Sequence, residues 1–165
     1  MFESKERVRV LIVDDSAIMR KVLREIIGAD PQMEIVGEAR DGREGVDLAE
    51  TLKPDVITVD INMPRLDGLQ ATKVIMSQNP RPIVMVSSES REGAESTLYA
   101  LELGAVDFMP KPSSGADLDM HRTGHELNRK LKIAAKVRVV RTATLSRFEQ
   151  PPRASPRRRN LVEQS

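Results

Sequence analysis

The chain contains no cysteine and only two histidines. That excludes disulfides and thiolate metal sites and counts against a histidine-rich cage, so any bound metal is expected to need oxygen ligands. Aromatic side chains are almost missing, with three Phe, one Tyr and no Trp. A nucleic-acid surface that works by base stacking would lack its platforms, and no helix-turn-helix pattern takes their place. No apolar run approaches ~20 residues and no signal-peptide pattern opens the chain, so a soluble, cytoplasmic protein without a membrane partner is expected. A glycine-rich turn is also absent after the first apolar run, where Asp14-Asp15-Ser16 stands instead; a nucleotide-binding enzyme would need glycine there.

The 165 residues allow one ordinary domain with some chain left over. Charge divides the chain in the same way. Residues 137–165 carry seven Arg, no Lys and two Glu, a net of +5, which leaves 19 basic and 23 acidic residues, a net of −4, in the remainder. With Pro151, Pro152, Pro156 and the Arg157-Arg158-Arg159 run, the last stretch buries too little apolar surface to offset its ordering entropy. It reads as a linker or disordered tail, and residues 1–136 as the domain.

Within the domain, apolar runs alternate with helical periodicity. Val8 to Val13 is a strand that stops at Asp14-Asp15, and Ser16 is placed to cap a helix carrying Met19, Leu23, Ile26 and Ile27 at helical spacing, ended by Gly28 and Pro31. Glu34 to Ala39 is a second strand; Asp41-Gly42 turns into a helix with Gly45, Leu48, Ala49 and Leu52 on one face. The third strand, through Val56-Ile57-Thr58-Val59-Asp60, is apolar enough to be buried on both faces at the centre of a parallel sheet. After Asp67-Gly68 a third helix turns Leu69, Thr72, Ile75 and Met76 inward and closes before Pro80. Pro82 to Val86 is the fourth strand, delivering Ser87-Ser88. A fourth helix over about Arg91 to Leu103 is expected to bury Ala94, Leu98 and Leu101, to expose Tyr99 and Leu103, and to stop at Gly104. Ala105 to Met109 is the fifth strand, and a last helix near Arg122 to Val137 buries Leu127, Leu131 and Ala134. Five strand-then-helix units imply an α/β fold: a five-stranded parallel sheet with right-handed crossovers and helices on both faces.

Ligands bind such sheets in the crevice beyond the carboxyl ends of the strands. Asp14, Asp15 and Asp60 end the first and third strands, which are neighbours if the order is 2-1-3-4-5. Two unit charges 4 Å apart repel by ~4 kcal/mol at an effective dielectric near 20, so three converging carboxylates call for protonation or a cation. Mg²⁺ suits them, because two carboxylates and one backbone carbonyl near Asn62 would suffice beside its retained waters. Ser87 and Lys111, at the ends of the fourth and fifth strands, add a hydroxyl and an ammonium that suit a phosphoryl group. Asp60, already ionised at neutral pH, reads as the nucleophile and needs no general base. Taken singly, each of these residues reads as a helix cap or a solvated loop residue. Their joint fall at four strand ends carries the functional reading.

Those residues, Asp14-Asp15, Asp60, Ser87 and Lys111-Pro112, resemble the signature of the response-regulator receiver domains of two-component signalling, over about residues 8 to 136. The resemblance implies the flavodoxin-like 2-1-3-4-5 strand order and phosphotransfer from a histidine kinase to Asp60. It also implies Mg²⁺ held by Asp15, Asp60 and the Asn62 carbonyl, with Asp14 shaping the acidic pocket and reaching the ion through water. Ser87 and Phe108 would be the paired switch residues, and the Lys111–Pro112 bond would be cis.

The run Gly104-Ala105-Val106-Asp107-Phe108-Met109-Pro110-Lys111-Pro112-Ser113, then Leu118-Asp119-Met120-His121, is similar more narrowly to the receiver half of the chemotaxis protein-glutamate methylesterases (CheB). The resemblance implies a chemotaxis-type histidine kinase and a methylesterase catalytic domain, or another output protein, as partners. No glycine-rich segment with a nucleophilic Ser is present, and His121 and His125 read as surface residues without a triad, so no hydrolase site is expected here beyond self-catalysed phosphotransfer at Asp60. A stand-alone, monomeric regulator acting by protein binding is the alternative. A receiver of a DNA-binding regulator and a haloacid-dehalogenase-type aspartyl-phosphate phosphatase fit less well, the phosphatase because its second acid, two residues on, is missing. Nucleic acid is not expected as a partner, since the Arg-rich tail reads as a solvated linker.

Overall fold

The computed structural model describes residues 6–61, 63, 66–87, 91–111 and 117–139, with the backbone alone for 87, 91–94 and 117–121. Five strands, β1 (Val8–Val13), β2 (Met33–Ala39), β3 (Val56–Asp60), β4 (Ile83–Ser87) and β5 (Asp107–Pro110), alternate with five helices. These are α1 (Ala17–Gly28), α2 (Gly42–Leu52), α3 (Gly68–Gln78), α4 (Arg91–Leu103) and α5 (Asp117–Ala134). The strands form one sheet in the order β2-β1-β3-β4-β5, and every pairing is parallel. This is the expected flavodoxin-like architecture.

The sheet divides the core into two layers because successive side chains of a strand point to opposite faces. Val10 and Ile12 of β1, Val56 of β3 and Val84 of β4 pack with Leu23 and Ile27 of α1 and with Leu127, Leu131 and Ala134 of α5. Leu11, Val13, Ile57, Val59, Ile83 and Met85 face the other way, onto Val46 and Ala49 of α2, Ala71, Ile75 and Met76 of α3, and Ala100 of α4. All five residues of β3 are buried, as a central strand covered on both faces requires.

Ser16 caps α1 as anticipated, and the turn residues Asp41 and Asp67 prove to be caps as well. Ser16 Oγ accepts from Met19 N–H, Asp41 from Glu44 N–H, and Asp67 from Gln70 N–H in a reciprocal capping box. The helix ends depart from expectation. Gly28 stays helical and the cap is Ala29, in the right-handed region at φ −75°. The Ala29 and Asp30 N–H groups donate to the Glu25 and Ile27 carbonyls and Asn128 Nδ2 of α5 meets the Ile26 carbonyl at 3.0 Å, so the terminus is satisfied without a left-handed glycine. The α2 end uses Lys53 in the left-handed region at φ 51°, a role the sequence did not suggest. Gly104 does end α4 with positive φ, at 121°.

Three placements are corrected. β5 begins at Asp107, not Ala105, because the Ala105 N–H is spent on the Ala100 carbonyl at the end of α4 (3.0 Å). On α4, Leu98 is 63% exposed whereas Leu103 is 4% exposed, with Thr97 and Ala100 buried; Leu101 is only partly buried. The expected stripe counted apolar residues, but the small Thr97 and Ala100 face the interior. Leu98 therefore joins Tyr99 outside, and Leu103 leaves the exposed pair; the side chain of Ala94 lies outside the described residues. α5 begins five residues early, at Asp117, and ends at Ala134. Beyond it Val139 packs against the α2–α4 layer, and the rest of the basic stretch, from residue 140, lies outside the described residues.

Candidate functional site

The carboxyl ends of β1 and β3 bring the three predicted acids together. One carboxylate oxygen from each of Asp14, Asp15 and Asp60 lies within 4.8 Å of the other two. Asp60 ends β3 and is 2% exposed; Asp14 follows β1 and is 1% exposed. Asp15, on the turn, faces solvent.

The turn that carries the pair is held at several points. Asp14 N–H donates to the Ala39 carbonyl at 3.0 Å, continuing the β1–β2 ladder by one rung. Asp14 Oδ1 accepts from Ser16 N–H at 2.9 Å, Ser16 Oγ accepts from Met19 N–H at 3.1 Å, and the Arg20 guanidinium donates to the Asp14 carbonyl at 2.8 Å. Lys111, the first residue after β5, places Nζ 3.3 Å from Asp60 Oδ1.

The electrostatics favour a positive charge. Burial pushes the Asp14 carboxyl above its ordinary value; the Ser16 N–H bond and the Lys111 charge pull the other way, and the Asp15 charge adds to the rise. Two carboxylates at this separation repel by about 3–4 kcal/mol at an effective dielectric near 20, and a single ammonium offsets only part of three negative charges. Asp14 Oδ2 is buried with no hydrogen-bond partner among the described residues. A buried charged oxygen without a partner is costly. A hard divalent cation accepting carboxylate oxygen supplies what the site lacks, so the donor set fits such an ion.

The other predicted site residues are placed less fully. Ser87 ends β4, paired with Pro110, but its side chain lies outside the described residues, as do Asn62 and Pro112, and with Pro112 the anticipated cis bond. Phe108 is 41% exposed, turned outward, with Lys130 Nζ 5.8 Å from its ring centroid. His125 is exposed, as anticipated; the side chain of His121 lies outside the described residues.

Two contributors went unread in the sequence. Gly68 opens α3 so close to β3 that a Cβ there would overlap the Asp60 carbonyl oxygen and crowd the Ile61 Cα; its N–H donates to the Ile61 carbonyl at 2.7 Å. An Asp-Gly pair reads first as a turn, and only the approach of two backbones shows why a side chain is excluded. Arg20 had no signal at all, since an arginine on a helix is ordinarily solvated.

Comparison with known proteins agrees with this geometry. The family model for the response regulator receiver domain matches residues 10–139. A protein-glutamate methylesterase/protein-glutamine glutaminase of Pyrococcus abyssi is 52% identical over 131 residues, which are 79% of this chain and 36% of that protein. The chain thus spans little more than a third of that relative's length. The response regulator domain of Thermotoga maritima CheB superposes with a TM-score of 0.73 at 49% identity, covering 81% of this chain and 99% of that one. A CheX–CheY–BeF₃–Mg²⁺ complex from Borrelia burgdorferi gives a TM-score of 0.66 at 27% identity, covering 81% and 93%.

Proposed function

This chain belongs to the response-regulator receiver family, and from that membership we propose that it is a Mg²⁺-dependent phosphoacceptor that takes a phosphoryl group from a chemotaxis-type histidine kinase onto Asp60. The observation that carries the reading is the buried Asp60 carboxylate, grouped with Asp14 and Asp15 oxygens within 4.8 Å and facing Lys111 Nζ at 3.3 Å. Asp15, Asp60 and the Asn62 main-chain carbonyl are the proposed ligands, with Asp14 acting through water. Bound there, Mg²⁺ would neutralise the phosphoryl oxygens as they approach the acids. The solved CheY relative, whose complex contains BeF₃ and Mg²⁺, supports that choice of ion.

Chemistry at Asp60 is a group transfer between two nucleophiles. An Asp60 oxygen forms a bond to phosphorus as the bond from phosphorus to the kinase histidine nitrogen breaks, and the ring, protonated on its other nitrogen, takes the electron pair and leaves as neutral imidazole. Asp60 is ionised and gives up no proton, so no base is required. Lys111 then meets an oxygen of the acyl phosphate with its ammonium, and the Ser87 hydroxyl meets another. Ser87 and Phe108 form the proposed switch that carries the change to an output surface.

Residues 1–136 act as the receiver and 137–165 as a basic linker. The likeness to methylesterase/glutaminase proteins supports assigning the output to a catalytic domain of that kind, with the chain working in the cytoplasm; no described helix is long and apolar enough to cross a membrane. The test is incubation with Mg²⁺ and a small phosphodonor. Label should appear on Asp60, stable in acid and labile in base, and be lost in Asp60→Ala or with excess chelator. Label that persists in Asp60→Ala refutes the assignment.

A further inference from the structure

The Arg20 guanidinium reaches the acidic site without touching a site carboxylate. Nη1 donates to the Asp14 main-chain carbonyl at 2.8 Å, while Nε lies 3.6 Å from Glu38 Oε1, with the Arg20 side chain only 16% exposed. Glu38 belongs to β2, the strand beside β1 at the sheet edge. It is held in turn by Arg24, one helical turn beyond Arg20, whose Nη1 donates to its two oxygens at 2.9 and 2.7 Å. An arginine this close to Asp14, whose carboxylate its charge reaches, would ordinarily form a bidentate pair with it. Here Glu38 stands at ion-pair distance on the β2 side without a hydrogen bond to Arg20, and the guanidinium's hydrogen bond goes to a carbonyl.

This arrangement separates two jobs. The carbonyl contact fixes the plane of the Asp14 peptide and thereby the direction in which the Asp14 and Asp15 side chains leave the turn. The Glu38 contact keeps the cation off those side chains and offsets its charge, so the carboxylates stay available to a divalent ion. We propose that Arg20, anchored by Glu38, is a positioning residue for the divalent-cation site, acting through the Asp14 carbonyl. The inference rests on the metal-dependent phosphoacceptor reading and assigns to it a residue pair on α1 and β2 that contributes no metal ligand.

Charge and positioning predict opposite signs. Removing a positive charge beside Asp14 should tighten cation binding if only the field matters. Losing the group that orients a ligand-bearing turn should weaken it, by ~10-fold on the scale of outer partners at metal sites. The experiment is titration of the full chain with Mn²⁺ alone, the free ion read by electron paramagnetic resonance, with circular dichroism to verify folding. Arg20→Met is expected to weaken Mn²⁺ binding by ~10-fold, and Arg20→Lys to recover part of the loss. The double variant Arg20→Met/Glu38→Gln, which keeps the wild-type net charge, should remain as weak as Arg20→Met. Unchanged or tighter binding in Arg20→Met overturns the inference, as does a double variant restored to wild-type affinity. Should Arg20→Met fail to fold, Glu38→Gln is compared with wild type at high salt, where the field of the lost charge is screened: binding still weaker than wild type supports the relay, and wild-type affinity there overturns it. A wild-type chain that takes up no Mn²⁺ at all instead overturns the metal reading on which the inference stands.

Discussion

Replacing Asp14 by Asn removes one charge from the acidic cluster while keeping the side chain's shape and its Oδ1 acceptor for Ser16 N–H. Asp14 and Asp60 are both buried, with carboxylate oxygens inside the 4.8 Å group. Their repulsion is about 3.5 kcal/mol at an effective dielectric near 20. The pair with exposed Asp15 is worth nearer ~1 kcal/mol in water-like surroundings. The variant also loses the attraction of Lys111 and Arg20 for Asp14, which returns part of the gain. A net stabilisation of the metal-free protein by ~1–2 kcal/mol is therefore expected at neutral pH, a rise of roughly 3–8 °C in Tm for a domain of this size.

The effect should depend on pH in a definite direction. Burial raises the folded-state pKa of Asp14 above its ordinary value of 3.8, so the unfolded chain gives up this proton first. The stability associated with the protonated group is present below 3.8 and is lost as pH rises through the folded value. Wild type and Asp14→Asn should accordingly melt together at about pH 3 and diverge toward pH 7. Thermal unfolding followed by far-ultraviolet circular dichroism in chelator measures this. Repeated with Mg²⁺, wild type should gain about 2.7 kcal/mol at a hundredfold excess over Kd, and Asp14→Asn less. A variant less stable than wild type in chelator at neutral pH, or one with the same offset at about pH 3, would refute the claim that the acids form one strained site.

Gly68→Ala should lower the urea midpoint by an equivalent of ~2–4 kcal/mol without changing the slope, since the added carbon meets backbone atoms of Asp60 and Ile61 that have no rotamer to escape into; an unmoved midpoint shows that the two backbones can part freely. At the other end of the molecule, burial pushes Asp30 upward but the hydrogen bond from Lys132, 2.7 Å away, and the Gln32 N–H overcome it, leaving its carboxyl below the ordinary value. Its contribution is present above 3.8 and lost as pH falls through the folded value, so Lys132→Met should flatten the acid limb of the stability profile, and an unaltered limb counts against the pairing. On α4, Leu103→Ala should cost ~2–4 kcal/mol and Leu98→Ala under ~0.5 kcal/mol. Equal losses in chemical denaturation would contradict the observed helix face.

Much of this molecule could be read before it was seen. The central strand announces itself because a strand covered on both faces must be apolar throughout, and the α1 start does so because the Ser16 side-chain oxygen can take an otherwise unpaired N–H. The site was legible for a related reason. Asp14, Asp60 and Lys111 each follow or end an apolar run at the same edge, and although each alone could be a cap or a solvated residue, their coincidence at one edge is what points to chemistry.

What the sequence could not decide were the contacts between elements remote along the chain. On α4 the apolar residues allow more than one inward face, and the choice of Thr97, Ala100 and Leu103 over Leu98 depends on the depth at which the helix seats on its neighbours. One carbonyl at the α1 terminus, that of Ile26, is met by Asn128, 102 residues away, and Gly68 matters because β3 and α3 approach backbone to backbone. The Arg20–Glu38 pair spans α1 and β2 and converges on a carbonyl that every residue possesses. Local patterns record what a residue needs from its own segment, whereas a main-chain acceptor or a missing Cβ leaves no pattern, and its partner is chosen only when the packed layers bring it within reach.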